Sequence, residues 1–276
     1  MPYAMTDDAL DDFERRRVRL DGVTRDVYVT GAAGPAVVVM PEMPGITPEL
    51  ARFARWVREA GFVVYVPSLF GRPGAVATAE EGAEVMRRAC VSAEFRVLAG
   101  GGTSPVVSWL RRLASSAHLE CGGPGVGVVG MCFTGNFALA VALEPAVLAP
   151  VLSQPSLPLD DPSAVELSQQ DAADLRERFE RDDLVALGLR FEGDRWCRRE
   201  RFETYRSLLG ERFRERVLPA ASANSEPSPF HRDVVASPHS VLTVHLVDED
   251  GHPTIAARDA VLDFLRERLA GTAVSA

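Results

Sequence analysis

VGVVGMCFTGNFALAVAL, residues 126–143, changes character halfway along. Its first part is an unbroken run of small and β-branched apolar residues, the pattern of a strand buried on both faces of a parallel sheet. After Gly130-Met131-Cys132-Phe133-Thr134 the composition turns helical, from Gly135 through Asn136, Phe137, Ala138, Leu139 and Ala140. A strand, a sharp turn and a helix with a nucleophilic side chain at the apex form a nucleophile elbow. Strand and helix pass close together there, so the positions two before and two after the nucleophile must be small. Gly130 and Thr134 hold them, and Gly135 adds room. Serine is the familiar residue at the apex; here it is Cys132, taken as the centre of the active site.

Strands and helices alternate on either side of this stretch. Residues 23–30 alternate as an edge strand, and 36–40 (AVVVM) read as the first buried strand. A loop at Pro41-Glu42-Met43-Pro44-Gly45 follows, then an amphipathic helix over 49–60 with Gly61 as its C-cap, and a strand over 62–67. The connection between the two buried strands should be right-handed. Beyond a loop at 69–74, residues 78–98 are helical in composition, Gly100 to Pro105 break the chain, and 106–118 form a further helix. After the elbow come a strand over 146–153, a helix over 172–182, a strand over 185–192 and a helix over 200–209. A long proline- and serine-rich loop spans 219–240, and a last strand (VLTVHLV, 241–247) precedes a closing helix over 254–269. The expected organisation is a lead-in over residues 1–22 and a single domain over 23–276. Its class is α/β, a mostly parallel doubly wound sheet with helices on both faces.

Composition narrows the function. The chain has 276 residues, 46% hydrophobic and 25% charged, enough for a sizeable core. A net charge of −9 argues against nucleic-acid and polybasic membrane binding, and every basic residue besides histidine is arginine. No stretch reaches the ~20 apolar residues of a membrane-spanning helix, and the first twenty residues lack a signal-peptide core. The cysteines at 90, 121, 132 and 197 show no metal-site spacing. The expectation is a cytoplasmic protein with reduced thiols and neither metal nor cofactor, acting on a small molecule as a monomer or small homo-oligomer.

In the α/β-hydrolase order, an elbow nucleophile is followed by an acid and then a histidine, each on a loop after a later strand. Asp194 stands where the strand over 185–192 runs out, and His252 stands between the expected last strand and last helix. Asp248 and Asp250 are rivals for the acid. His118, His231, His239 and His245 fit the histidine role less well, with His245 inside the expected strand and His231 in a loop. In this reading Cys132 attacks an acyl carbon, His252 moves the proton and Asp194 orients the imidazole. The backbone N–H groups of Phe133 and Met43 form the oxyanion hole, and the start of the elbow helix favours thiolate.

Gly130-Met131-Cys132-Phe133-Thr134-Gly135 resembles the cysteine-bearing elbow of the dienelactone hydrolase family. Pro41-Glu42-Met43-Pro44-Gly45 is similar to the family's acid-bearing loop, and Gly193-Asp194 and Gly251-His252 to its remaining triad positions. The likeness runs from about residue 23 to residue 269. It implies an α/β-hydrolase fold, cofactor-independent cleavage of an ester or lactone, and a glutamate, Glu42, that interacts with the resting thiol and assists its activation. It also implies a substrate-binding arginine on the helix after the second buried strand, which points to Arg87. Thr134 departs from the family's usual glycine. The 219–240 segment and the surroundings of Phe70 to Gly74 depart as well, so substrate identity does not transfer. Arg72, Arg87 and Arg88 are candidates for gripping a substrate carboxylate, because guanidinium pairs with it bidentately.

Gly125-Val126-Gly127-Val128-Val129-Gly130 matches GxGxxG, but the match is itself the strand, where a dinucleotide fingerprint must follow one. Three functions stay open: a cysteine-dependent ester or lactone hydrolase, a thiol acyl-transfer or carbon–carbon-cleaving enzyme on the same scaffold, and a silent binding relative. Fold alone implies no substrate. Retention of nucleophile, acid, histidine and Glu42 in one chain favours an enzyme.

Overall fold

The computed structural model describes residues 6–92 and 103–270. The expected glycine-rich break and the C-terminal part of the helix read over 78–98 lie largely outside the described residues. The elements in chain order are β1 (Glu14–Leu20), β2 (Val23–Thr30), β3 (Ala36–Met40), α1 (Pro48–Glu59), β4 (Val63–Pro67) and α2 (Ala79–Val91). There follow α3 (Pro105–Cys121), β5 (Val126–Met131), α4 (Gly135–Val141), β6 (Val147–Ser153) and α5 (Gln169–Arg181). The chain continues with β7 (Ala186–Phe191), α6 (Arg199–Leu209), β8 (Phe213–Leu218) and α7 (Pro253–Leu269). The strands make one eight-stranded sheet in the order β1-β2-β4-β3-β5-β6-β7-β8. β1, β2 and β4 pair antiparallel, and the pairs from β4 through β8 are parallel.

The side chains of the buried strands divide by parity. Val38, Met40 and Val128 point into one core with α3, α4 and α6, and Val37, Val39, Val129 and Met131 into the other with α1 and α7. That division is the period of two of a pleated strand, and it explains why β3 and β5 read as continuous apolar runs. Both faces are covered, as the sequence predicts.

Two expectations fail at the ends of the sheet. Part of the lead-in is strand β1, paired with β2 along its whole length from Glu14↔Val29 to Leu20↔Val23. Its composition, ERRRVRL, hides it, because an exposed edge strand needs no apolar face. The signal available was Asp21-Gly22, which turns the hairpin with both residues at positive φ (49° and 82°). At the other end, residues 241–247 are not a strand. The chain coils there, with His245 N–H donating to the Ser240 carbonyl at 3.1 Å and Leu246 N–H to Thr243 at 3.1 Å. Val241 and Leu242 are nonetheless fully buried. A short apolar run states burial and leaves conformation open. The last strand is instead β8, FRERVL, whose middle is charged and exposed.

The 219–240 segment also has structure: a short 3-10 turn at Ala220–Ser222 and a π-helical turn at His231–Val235. Phe230, at its start, packs its ring over Gly82 of α2, where an added Cβ would lie 2.2 Å from the ring. Among the described residues, no helix is long and apolar enough to cross a membrane.

Candidate active site

Cys132 follows β5 directly and has φ +53°, the strained left-handed geometry that puts an elbow side chain at the apex of its turn. A Cβ on Gly130 would come within 2.2 Å of the Thr134 carbonyl oxygen, and one on Gly135 within 2.7 Å of Pro155 Cα. Both glycines are therefore required by the close passage of strand and helix. Thr134 closes the turn with its hydroxyl, which accepts the Met131 N–H at 2.9 Å. The same oxygen lies 3.1 Å from the Met40 carbonyl of β3 and 3.0 Å from that of Met131. Where the family more often has glycine, this chain ties its elbow to the neighbouring strand.

Asp194 lies just past β7, fully withdrawn from solvent at its side chain. One carboxylate oxygen accepts the N–H groups of Trp196 (2.8 Å) and Cys197 (3.0 Å), and the other meets Nδ1 of His239 at 2.7 Å. The histidine on the acid is thus His239, and the expectation of His252 is corrected. His252 is the N-cap of α7, its Nδ1 2.8 Å from the Thr254 hydroxyl and accepting the Thr254 N–H at 3.3 Å. The expectation failed with the strand it was built on. Once residues 241–247 coil beneath the site, the histidine before that run reaches Asp194, and the one after it caps a helix.

Burial disfavours a charged His239, but the carboxylate of Asp194 and the sulfur of Cys132 outweigh it and hold the His239 pKa well above the ordinary value. Its Nε2 has no aligned hydrogen bond among the described residues. The thiol is instead hydrogen-bonded to the hydroxyl of Ser156, Sγ to Oγ 3.2 Å, and the Ser156 N–H donates to the Cys132 carbonyl at 3.0 Å. Nothing in the sequence singles out Ser156. It belongs to the loop after β6, which the buried guanidinium of Arg201 clamps through the carbonyls of Leu157, Pro158 (2.7 Å) and Asp161 (2.8 Å).

Glu42 is fully buried, and burial pushes its pKa upward against hydroxyl contacts that favour the ion. Its carboxylate accepts from Ser240 (2.6 Å), Thr243 and Gln154 (3.2 Å). The implied contact with the resting thiol is therefore replaced by a polar network behind the site, and His231 Nε2 stands 4.0 Å from the same carboxylate.

Met43 and Phe133 line the pocket at Cys132, together with Met86, Ser156, Leu159, Trp196, Phe230, His231, Val235 and His239. Phe70 is buried and supports Phe133 edge-on, ring centroids 6.0 Å apart. Arg72 and Arg87 do not reach this pocket. Arg72 pairs with Asp7 at 2.9 Å and Arg87 with Glu84 at 2.5 Å, and Arg88 also pairs with Glu84. Arg72 and Arg88 line a separate cavity of about 340 Å³, bounded by residues 44–47, residues 71–77 and α2. The space at the thiol is only about 10 Å³, scarcely one water molecule.

A parallel sheet wrapped by helices, with a nucleophile elbow after β5 and a buried acid–histidine pair facing it, defines an α/β hydrolase. The dienelactone hydrolase family model matches residues 26–170, more than half of the chain. The chain belongs to that family and is a hydrolase of ester type. A dienelactone hydrolase from Anabaena variabilis superposes with a TM-score of 0.57 at 15% identity, covering 94% of this chain and 99% of its own. A dienelactone hydrolase-like promiscuous phosphotriesterase from metagenomic libraries gives 0.59 at 17% identity, covering 93% and 99%. A cold-adapted esterase from an Arctic intertidal metagenomic library gives 0.56 at 14%, covering 98% and 100%. At these identities the likeness speaks for the fold. No curated protein matches the chain.

Proposed function

We propose that the protein hydrolyses a carboxylic ester or lactone through a thioester on Cys132, with His239 as acid–base and Asp194 as its orienting acid. The observation carrying this reading is the buried 2.7 Å Asp194–His239 pair beside a thiol held at φ +53°. The elevated His239 pKa supports an imidazolium that persists while the thiolate attacks. The acyl carbon then loses its alcohol, which takes the proton from His239. Water, deprotonated by the same imidazole, releases the acid. The N–H groups of Phe133 and Met43 are the proposed oxyanion donors. The proposed reaction draws on side chains and backbone alone, with no cofactor in its steps.

The pocket favours a neutral, apolar substrate. Met43, Met86, Phe133, Leu159, Phe230 and Val235 supply most of its surface, and His231 is held neutral because burial, with His245 and His239 nearby, drives its pKa well below the usual value. A short-chain ester fits that lining better than a carboxylate-bearing lactone. The test is turnover of short-chain p-nitrophenyl esters and a dienelactone panel by wild type and Cys132→Ala, with intact-mass detection of the acyl-enzyme. Turnover and an adduct lost together in the variant are expected. Undiminished turnover in Cys132→Ala overturns the reading.

A further inference from the structure

Two imidazoles line the pocket at the thiol, and the proposed triad uses one. His231, 1% exposed, lines the pocket with Cys132 and His239 from the π-helical turn that roofs it. Its Nδ1 lies 2.9 Å from the Ser228 hydroxyl. Its Nε2 lies 4.0 Å from the Glu42 carboxylate, beyond hydrogen-bonding distance. In the tautomer with its proton on Nε2, Nδ1 accepts from the Ser228 hydroxyl and the N–H carries its partial positive charge toward the Glu42 carboxylate. The ring is also neutral, since burial holds its pKa far down. In that tautomer it is a neutral N–H donor in the lining of an apolar pocket.

The other polar groups at the pocket are committed. Ser156 bonds the thiol, and the Trp196 indole N–H donates to the Val235 carbonyl at 3.0 Å. In an acyl transfer at Cys132, the oxygen leaving the acyl carbon must lie beside His239 to receive its proton. His231 lines the same small space of about 10 Å³ as Cys132 and His239.

We propose that His231 is a second catalytic histidine, whose Nε2–H donates a hydrogen bond to the leaving oxygen of the ester and to the water that later replaces it. Negative charge on Glu42, 4.0 Å from Nε2, biases the ring toward that tautomer and leaves the N–H free for the substrate, which gives that glutamate a role through His231 instead of through the thiol. The proposal rests on the Cys132 reading above. The sulfur–carbon bond forms as the carbon–oxygen bond breaks. His239 gives its proton to the departing oxygen, and His231 keeps its own, spreading the developing negative charge.

Leaving-group dependence tests this. p-Nitrophenolate departs as a stabilised anion and needs little help, whereas ethoxide needs all of it. In His231→Phe, kcat/KM for an ethyl ester is expected to fall about 30-fold while the p-nitrophenyl ester of the same acid falls less than about threefold. His231→Gln, which keeps an N–H donor, is expected to recover part of the loss, and Ser228→Ala to show a weaker form of the same selectivity. These two variants carry the test if the phenylalanine destabilises the fold. Equal losses on both esters, or none on either, overturn the role of His231. Intact-mass detection of the acyl-enzyme on wild type separates the two readings. An adduct on Cys132 with equal losses overturns this proposal alone, and undiminished turnover in Cys132→Ala overturns the Cys132 reading and this proposal with it.

Discussion

The elbow, residues 126–141, and the coil that runs from His231 to His252 meet at one pocket, but they are built in opposite ways. The elbow is backbone geometry: a parallel strand, an obligatory left-handed residue and two glycines with no room for a Cβ. The coil is side-chain packing, in which His231, His239 and His245 are all buried in a stretch without a strand. Backbone geometry leaves a mark on local sequence because few residue types satisfy it. A coil held by long-range contacts leaves almost none.

The comparison breaks most visibly if the coil's histidines are confused. His239→Ala is expected to lower kcat/KM by on the order of 10³-fold or more, because the general base is lost while the oxyanion donors remain. His252→Ala is expected to leave kcat/KM within about threefold and to cost about 1 kcal/mol of stability as a lost helix cap. Ester kinetics and urea denaturation on the two variants decide it. A large kinetic loss confined to His252→Ala would return the catalytic role to the loop before α7.

On the elbow side the sharpest probe is Gly130→Ala. The added methyl lies 2.2 Å from a backbone oxygen inside a fully buried strand, so strand and helix must part; a loss of about 3 kcal/mol is expected. Gly251→Ala makes the matching change in the coil. Gly251 has φ +78° with nothing within 4 Å of an added Cβ, so only the backbone preference is lost, about 1 kcal/mol. Equal denaturation midpoints for the two variants would contradict the crowding assigned to the elbow.

The same contrast governs what the sequence revealed. Cys132 and Asp194 were legible because each sits at the end of a strand whose apolar run is unmistakable, β5 and β7. Their neighbour β6 was equally plain, yet Ser156 in the loop after it was invisible. Its contact with the thiol depends on how Arg201 clamps that loop from forty residues away. His239 was missed because VLTVHLV has the composition of a strand, and the role of base was assigned to the histidine after it. Glu42 was found by resemblance, but its partners Ser240 and Thr243 are about two hundred residues distant, too far for any local pattern. The arginines chosen as carboxylate anchors were chemically apt, but they pair with Asp7 and Glu84 and none of them lines the pocket at Cys132.

A smaller effect asks whether the coil is as tightly packed as the elbow. His245 accepts the Ser240 N–H on Nδ1 at 3.1 Å, and burial lowers its pKa to about 3, with His239 adding to the effect. A depressed pKa means that the unfolded chain takes up a proton near pH 6.5 that the folded chain refuses until near pH 3. The stability contributed by the neutral ring is therefore present above pH 6.5 and is lost progressively as pH falls toward 3. Between pH 6.5 and 5 this one residue is expected to cost the fold about 1.5 kcal/mol. His239 does not cancel it, since a raised pKa gives a contribution already complete below pH 6.5. Urea unfolding of wild type and His245→Gln at both pH values isolates the term: the difference in stability between the two proteins should narrow by about that amount at pH 5. A difference that stays constant would mean that the coil admits a proton to His245, and with it water, as the elbow does not.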